Sequence, residues 1–204
     1  MTFGQGFAGG EAASPQPKAV PMHDDPYVRV RARELYRNPW LAVEAHDIVH
    51  PNGEPGEHVL IVTSKASAVV VEDRNDLIFT RQPRFGARCS VVEIVKGGRD
   101  SGESALQCAR RELREELGIE ALTWTELGRL FEIPSIVSDP VELFLATDLE
   151  FGEADPEREE SIELVRMTAD EAIRAALDGT IDDAITVAAL FRYGGLRGFV
   201  APRR

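Results

Sequence analysis

Three glutamates, Glu112, Glu115 and Glu116, lie close together on a segment whose pattern predicts a helix. Because residues three and four apart are neighbours on a helix, their carboxylates would crowd together and repel each other. They also lie near the predicted C-terminus, where the helix dipole disfavours negative charge. Hard oxygen ligands suit Mg²⁺ or Mn²⁺, so a bound divalent cation would remove this repulsion. The alternative is a solvated acidic face, which most charge runs form.

The helix that must position these carboxylates has clear start and stop signals. Ser104 with Gln107 three residues later forms a capping-box pattern, so the sequence predicts a helix starting at Ser104. Gly118 stands where a left-handed residue ends a helix. An apolar stripe at three- and four-residue steps predicts the packed side: Leu106, Ala109, Leu113 and Leu117.

The residues around the glutamates have a rigid spacing. Gly97, five residues, Glu103, seven residues and then Arg111-Glu112-Leu113 lead to Glu115-Glu116 and Gly118-Ile119. This pattern resembles the Nudix box at every specified position. The resemblance implies a Nudix hydrolase with an α/β fold, a mixed sheet between helices in an α/β/α sandwich, and it covers about residues 27–200.

The resemblance assigns roles to the residues of the box. Nudix hydrolases use a divalent metal to cleave a diphosphate linked to another moiety, which implies Mg²⁺ here, with Mn²⁺ as a substitute. The implied metal ligands are Glu112, Glu115, Glu116 and the carbonyl oxygen of Gly97 or Gly98. Glu115 and Glu116 would thereby serve catalysis. Arg111 would orient the carboxylates by pairing with Glu103, or the two would form only a structural ion pair.

Specificity must come from outside the box. The segment from Thr80 to Gly86 contains Arg81 and Arg84 and resembles the Arg-Gln-x-Arg segment of hydrolases of ADP-ribose and nucleoside diphosphate sugars. Guanidinium groups suit phosphate oxygens, so these arginines are candidates to bind the diphosphate. The alternative is a pair of ordinary loop arginines. Pro134, fifteen residues after Ile119, resembles a mark of ADP-ribose pyrophosphatases, or it simply ends a strand.

An N-terminal antiparallel sheet is predicted before the hydrolase domain. Strand patterns at residues 27–33, 40–49 and 58–62 are separated by turn-forming residues, and such a sheet is too small to be stable alone. Residues 36–41 resemble the N-terminal segment through which these hydrolases form homodimers and contact the nucleobase. Trp40 and Tyr36 are therefore candidates for base stacking, with core or interface packing as the alternative.

The catalytic base is open between two residues. ADP-ribose hydrolases usually carry a glutamate in the loop after the proline, and here that loop contains Asp139 and Glu142 as candidates. Glu142 would alternatively begin a strand. The segment Glu93-Ile94-Val95-Lys96-Gly97 also departs from the Glu-Leu-Pro-Ala-Gly of related enzymes, a change that bears on substrate preference.

Composition limits the partners. The chain of 204 residues has 23 Lys and Arg against 35 Asp and Glu, a net charge of −12, so long nucleic acid is not expected as a partner. It has no apolar run of membrane length and no apolar signal core, so no membrane association is expected. Two cysteines are too few for a disulfide framework. The expected location is the cytoplasm.

The remaining pattern divides the chain into a flexible tail (1–25), an N-terminal β-sheet subdomain (26–64) and a Nudix hydrolase domain (65–204). Strands are predicted at 68–72, 77–80, 91–95, 127–133, 141–147 and 162–167, with an acidic loop at 150–160. Thr168 is predicted to cap a helix running to Leu177. Asp182 or Asp183 starts the last helix, with Phe191 on its apolar side.

The sequence thus predicts Mg²⁺-dependent hydrolysis of ADP-ribose or a related nucleoside diphosphate sugar, giving a nucleoside monophosphate and a sugar phosphate. The implied partner is a nucleoside diphosphate-linked small molecule, bound by a homodimer. One alternative is a nucleoside triphosphate pyrophosphohydrolase that clears damaged nucleotides. Another is a catalytically silent ligand sensor, which would be expected to lose box carboxylates; all are retained here.

Overall fold

A computed structural model describes residues 25–155 and 161–199. The predicted tail therefore lies outside the described residues, apart from Asp25, and so do residues 156–160 of the acidic loop and the C-terminal residues 200–204. No helix within the described ranges is long and apolar enough to cross a membrane.

The N-terminal strands form a separate antiparallel sheet in the order β1-β2-β3. These strands are β1 (Val28–Arg37), β2 (Leu41–Val49) and β3 (Pro55–Thr63). The Asn38 side chain closes the first turn, because its Oδ1 accepts hydrogen bonds from the backbone amides of Trp40 (2.9 Å) and Leu41 (2.8 Å). The predicted small antiparallel sheet is confirmed.

The second sheet is mixed and carries the helices. Its strands are β4 (Ala66–Asp73), β5 (Asp76–Arg84), β6 (Cys89–Glu93), β7 (Val95–Gly98), β8 (Ile119–Leu130), β9 (Val141–Phe151) and β10 (Glu163–Thr168). The main path runs β10-β5-β4-β9-β8, with β6 paired to β5 and β7 paired to β4. Only β4 and β9 run parallel among these described pairs.

Alternating residues of the central strands contribute side chains to two apolar cores on opposite faces of this sheet. On β4, Val69 and Val71 pack with Leu113 of the helix α1 (Ala105–Leu117). Ala68 and Val70 pack on the other side, against α2 (Ala169–Asp178) and α3 (Ala184–Arg197). The sheet is thus covered by helices on both faces, which confirms the predicted α/β sandwich.

The helix ends follow the sequence signals. Ser104 caps α1 and forms the predicted capping box with Gln107, while Gly118 ends the helix at φ 64°. Thr168 and Glu171 form the capping box of α2. Asp183 caps α3 by accepting a hydrogen bond from the Thr186 amide.

A loop connects the two sheets. Ile61 on β3 forms a parallel bridge with Val137, and its amide donates to the Ile136 carbonyl at 2.7 Å. Residues 131–140, between β8 and β9, therefore lie against the N-terminal sheet. The loop that contains Pro134 and Asp139 is held by both sheets.

Several sequence predictions were wrong in detail. The strand after the box begins at Ile119 instead of residue 127 and ends at Leu130, because the whole segment pairs with β9. Arg81 and Arg84 lie within β5 instead of a loop, because β5 pairs with β6 as far as Arg84. Phe191 of α3 is 65% exposed, so the apolar side of that helix is narrower than predicted.

Gly118 and Gly179 end α1 and α2 in the same left-handed conformation, and they differ in their surroundings. A Cβ at Gly118 would lie 2.6 Å from the backbone nitrogen of Ala154, whereas a Cβ at Gly179 would meet nothing within 4 Å. We expect Gly179→Ala to lower the free energy of unfolding by about 1 kcal/mol from backbone strain. Gly118→Ala should cost about 2 kcal/mol more through backbone overlap. Equal losses in urea unfolding would contradict this packing.

Candidate active site

The α1 carboxylates face the end of β7. Gly97 lies against Glu112 so closely that a Cβ on Gly97 would overlap the Glu112 carboxylate. Glycine is therefore needed here for close approach. Glu116 is only 5% exposed, while the side chains of Glu112 and Glu115 are 14% and 35% exposed. The acidic group is thus a partly buried cluster, not a solvated face.

Arg111 joins two carboxylates of this cluster. Its Nη1 donates to Glu112 Oε1 at 2.8 Å and to Glu115 Oε2 at 3.0 Å. Its Nη2 donates to the Gly98 carbonyl at 2.7 Å, and the guanidinium also donates to both carboxylate oxygens of Glu103 at 3.1 Å. Hydrogen bonding to Glu103, with further bonds to Glu115 and Glu112, raises the pKa of Arg111 although burial opposes this. The predicted Arg111–Glu103 pair is present.

Glu103 is the anchor of Arg111 at the start of the helix. Its side chain is 13% exposed, and its Oε2 also accepts a hydrogen bond from the Asp100 amide at 3.0 Å. The hydrogen bonds from Arg111, together with that backbone amide, lower the pKa of Glu103 although burial opposes them. Glu103 therefore stays ionised and fixes the guanidinium on which the other carboxylates depend.

The donors fit a hard divalent cation. Glutamate oxygens and backbone carbonyls are the ligands that such cations prefer, and the glycine at position 97 leaves the Glu112 carboxylate against the β7 backbone. Within residues 25–155 and 161–199, no three His, Cys, Asp or Glu side chains already converge as a metal-binding group. Here Glu112 and Glu115 are turned towards Arg111. The assignment of metal ligands stays a prediction.

Cys108 of α1 contacts the β7 backbone at Gly97. It is fully buried on α1, and its Sγ lies 3.5 Å from the carbonyl oxygen of Gly97. Burial raises the pKa of this thiol, which keeps it in the neutral form that can donate to a carbonyl. The sequence did not assign a role to this residue.

Glu142 lies on the same face of the sheet as the α1 carboxylates. It is the second residue of β9, and Ser67 of β4 pairs with Glu142 on one side and Gly97 on the other. The Ser67 hydroxyl donates to the Ala105 carbonyl at 2.8 Å, so this row of residues faces α1. Asp139 instead lies in the preceding loop, where it accepts a hydrogen bond from the Ser138 hydroxyl at 2.9 Å.

The two candidate diphosphate arginines are held by acids outside α1. Arg81 lies 3.5 Å from Glu163 of β10, and its side chain is 47% exposed. Arg84 Nε donates to Glu93 at 2.7 Å, and Glu93 also pairs with Lys96. The structure therefore gathers Glu112, Glu115, Glu116, Arg111 and Glu142 at one face, with Arg81 and Arg84 on other partners.

Lys96 links the Arg84–Glu93 pair to α3. Its ammonium lies 2.9 Å from Asp183, the N-cap of that helix. Burial alone would raise the pKa of Asp183. The charge of Lys96 and the hydrogen bonds from Lys96 and Thr186 outweigh burial, so the pKa lies below its ordinary value. The lysine that departs from related enzymes thus completes a charged chain, Arg84–Glu93–Lys96–Asp183, which sequence reasoning missed because it depends on how α3 packs.

The aromatic candidates are on the N-terminal sheet. Trp40 is 78% exposed and Tyr36 is 56% exposed. A second aromatic group was not predicted: Tyr27, His50 and His58 have ring centroids 5.7 Å apart. Tyr27 and His58 line a cavity of about 430 Å³, together with Pro134 and Ser135 of the loop between β8 and β9.

Glu103 provides a test of the electrostatic frame. Because its folded-state pKa is lowered, its charge stabilises the protein above the unfolded-state pKa, and this contribution is lost as pH falls through the folded-state pKa. We expect Glu103→Gln to reduce the free energy of unfolding by about 1 kcal/mol at pH 7. The deficit should shrink as pH falls below about 4. Unfolding curves across pH measure it, with Glu120→Gln as the exposed control; a pH-independent deficit would contradict the account.

Comparison with known proteins agrees with this geometry. The family model of the NUDIX domain matches residues 62–190, and that of the nucleoside diphosphate sugar hydrolase N-terminal domain matches residues 27–59. A methanol dehydrogenase activator of Bacillus methanolicus is 26% identical over 79% of this chain and 89% of its own length. An ADP-ribose pyrophosphatase of Mycobacterium tuberculosis is 28% identical over 89% of this chain and 90% of its own length.

A solved structure shares the fold. The crystal structure of an ADP compounds hydrolase matches with a TM-score of 0.75 and 26% identity, covering 85% of this chain and 97% of that one. The NUDIX match spans more than half of the chain and includes the whole box at residues 97–119. The chain belongs to the Nudix family and is a Nudix hydrolase that acts on pyrophosphate bonds.

Proposed function

We propose that this enzyme hydrolyses the diphosphate bond of ADP-ribose or a related nucleoside diphosphate sugar, with Mg²⁺ as the metal and Mn²⁺ as a substitute. Water attacks one phosphorus, and the products are a nucleoside monophosphate and a sugar phosphate. The observation that carries this proposal is the packing of Glu112 on Gly97 within a complete box, together with the sugar-hydrolase match of the N-terminal sheet. Relatives named for ADP-ribose and ADP compounds support the substrate class.

The metal site of the proposal uses Glu112, Glu115 and Glu116 with the carbonyl of Gly97. When bound, the cation supplies neutralisation of the diphosphate charge and polarisation of the attacking water. Arg111 positions two of these carboxylates through its shared Nη1. Because the guanidinium is fixed by Glu103, the carboxylates start from a defined geometry.

For the catalytic base we favour Glu142 over Asp139. Glu142 lies in the row that contains Gly97, on the face covered by α1, and its side chain is 33% exposed. A carboxylate in that place can accept the proton of the attacking water. Asp139 stays the second candidate, in a loop bonded to the N-terminal sheet.

The proposed substrate contacts include residues of β5 and of the N-terminal sheet. Arg81 and Arg84 are 47% and 40% exposed, so both can exchange their glutamate partners for a diphosphate. The exposed side chains of Trp40 and Tyr36 would stack on the nucleobase or pack at a subunit interface. We retain the division into an N-terminal β-sheet subdomain (26–64) and a hydrolase domain (65–204), which the two family matches support.

We also propose a homodimer formed through the N-terminal sheet. Its β1 strand carries apolar side chains that are exposed to solvent, among them Val28 and Val30. A three-stranded sheet buries little by itself, so a second copy would cover this face. The free cysteines Cys89 and Cys108 suit the proposed cytoplasmic location.

A second candidate role is regulatory. One relative is named as an activator of methanol dehydrogenase, so a chain of this family can be named for its effect on another enzyme. All the carboxylates of the box are retained here, which favours hydrolysis over a silent sensor. A house-cleaning triphosphate pyrophosphohydrolase would need the box and would leave the N-terminal sheet unexplained.

A substrate panel with matched variants tests the proposal. Purified enzyme with Mg²⁺ or Mn²⁺ is given ADP-ribose, GDP-mannose, UDP-glucose, NADH, diadenosine polyphosphates or deoxynucleoside triphosphates, and the products are separated by chromatography. We expect turnover of a nucleoside diphosphate sugar, with AMP and ribose phosphate from ADP-ribose. Glu116→Gln should lower kcat by about 100-fold or more, because a buried metal ligand is lost. Glu120→Gln, on an exposed strand position, should leave kcat unchanged.

Two results would overturn the proposed activity, and a third would overturn its metal site. Preference for deoxynucleoside triphosphates would favour the house-cleaning alternative. No turnover of any compound by the wild-type protein would favour the regulator. Near wild-type turnover by Glu116→Gln would show that the metal-site assignment is wrong.

A further inference from the structure

Arg99 is a cation of the box loop that the proposed mechanism does not use. It follows β7, and its amide donates to the Lys65 carbonyl at 2.7 Å, which continues the pairing of β7 with β4. Its side chain is only 16% exposed. The position is therefore a fixed and mostly buried one, although it lies in a loop.

The side chain of Arg99 reaches towards the candidate active site. Val95 packs under α1 and Gly97 faces Glu112, so alternate positions of this strand point to the α1 face. Arg99 continues that alternation. Its Nη2 lies 4.0 Å from Glu142 Oε1, which means that the side chain crosses β4 to reach β9. Its positive charge also helps to lower the pKa of Glu103, after the larger effect of the hydrogen bonds from Arg111.

Arg99 retains unused hydrogen-bonding capacity. Its Nε is buried and donates to no acceptor among the described residues. The distance of 4.0 Å to Glu142 is an ion-pair distance and is too long for a hydrogen bond. Arg111, by contrast, donates to Glu103, Glu112, Glu115 and Gly98. A buried guanidinium donor without an acceptor is costly, so this site favours an incoming oxygen anion.

We propose that Arg99 binds a phosphate oxygen of the substrate diphosphate on the α1 face, next to Glu142. This inference rests on the proposed function and adds a phosphate contact on the side of the sheet where Glu112 and Glu116 lie. Arg81 and Arg84 are held by acids of β10 and β6, so they would contact the substrate from another part of the sheet. Between substrate molecules, Arg99 screens the charge of Glu142 from the other carboxylates.

A purely structural role is the competing explanation, because the same side chain links β7 to β9. The two explanations differ in ligand dependence. A structural tether would alter stability and all ligands alike, whereas a phosphate contact would affect only ligands that carry the anion. Ligand binding measured without metal reports on Arg99 independently of the proposed metal ligands. The test therefore has a readout besides activity.

The test measures binding of inorganic pyrophosphate, ADP-ribose and adenosine by calorimetry in EDTA, with wild type, Arg99→Met, Arg99→Lys and the exposed α2 control Arg174→Met. We expect Arg99→Met to weaken pyrophosphate and ADP-ribose binding about tenfold or more, since a charge-assisted contact is lost. Adenosine binding should stay unchanged, and the unfolding midpoint should not fall. Arg99→Lys should restore part of the affinity, and Arg174→Met should match wild type. In turnover, Arg99→Met should raise KM more than it lowers kcat.

Three outcomes would overturn the inference: wild type that does not bind pyrophosphate, Arg99→Met that binds it as wild type does, or equal losses for adenosine and pyrophosphate. If wild type hydrolyses ADP-ribose and Arg99→Met binds normally, only this inference fails. If pyrophosphate binding depends on Arg99 and no compound of the panel is hydrolysed, the anion contact stands and the proposed function fails.

Discussion

The structure depends on the contact between a residue with no side chain and a carboxylate. At Gly97 the β7 backbone approaches α1 so closely that a Cβ would overlap Glu112. This contact fixes the separation of helix and strand. Arg111 then joins the Gly98 carbonyl to the carboxylates of Glu112 and Glu115, while Glu103 holds the arginine in place. Backbone geometry and charge balance are therefore set by the same few residues.

That constraint connects fold and chemistry. The sheet on which α1 lies brings Gly97 of β7, Ser67 of β4 and Glu142 of β9 into one row, although they are far apart in the chain. Three strands thus contribute backbone or side chain to one face. The surrounding acidity matches a chain with a net charge of −12, so local arginines have to attract an anionic substrate against the overall field.

Local signals made α1 predictable. The capping box of Ser104 and Gln107 and the left-handed Gly118 depend on residues near in sequence, and the structure has both. The Arg111–Glu103 pair was predictable because the box resemblance implied it. By contrast, the extent of β8 and the partners of Arg84 and Lys96 depend on which distant segments pair. Arg99 gave no signal, because its approach to Glu142 exists only through the parallel pairing of β4 with β9.

In the proposed metal site, the α1 carboxylates and the Gly97 backbone hold a divalent cation. Anomalous diffraction from crystals grown with Mn²⁺ tests this site, because the signal locates the ion independently of activity. We expect a strong peak within coordination distance, about 2.2 Å, of Glu112 and Glu116 oxygens, next to the Gly97 carbonyl. A fully occupied peak elsewhere, or no peak at saturating Mn²⁺, would contradict it.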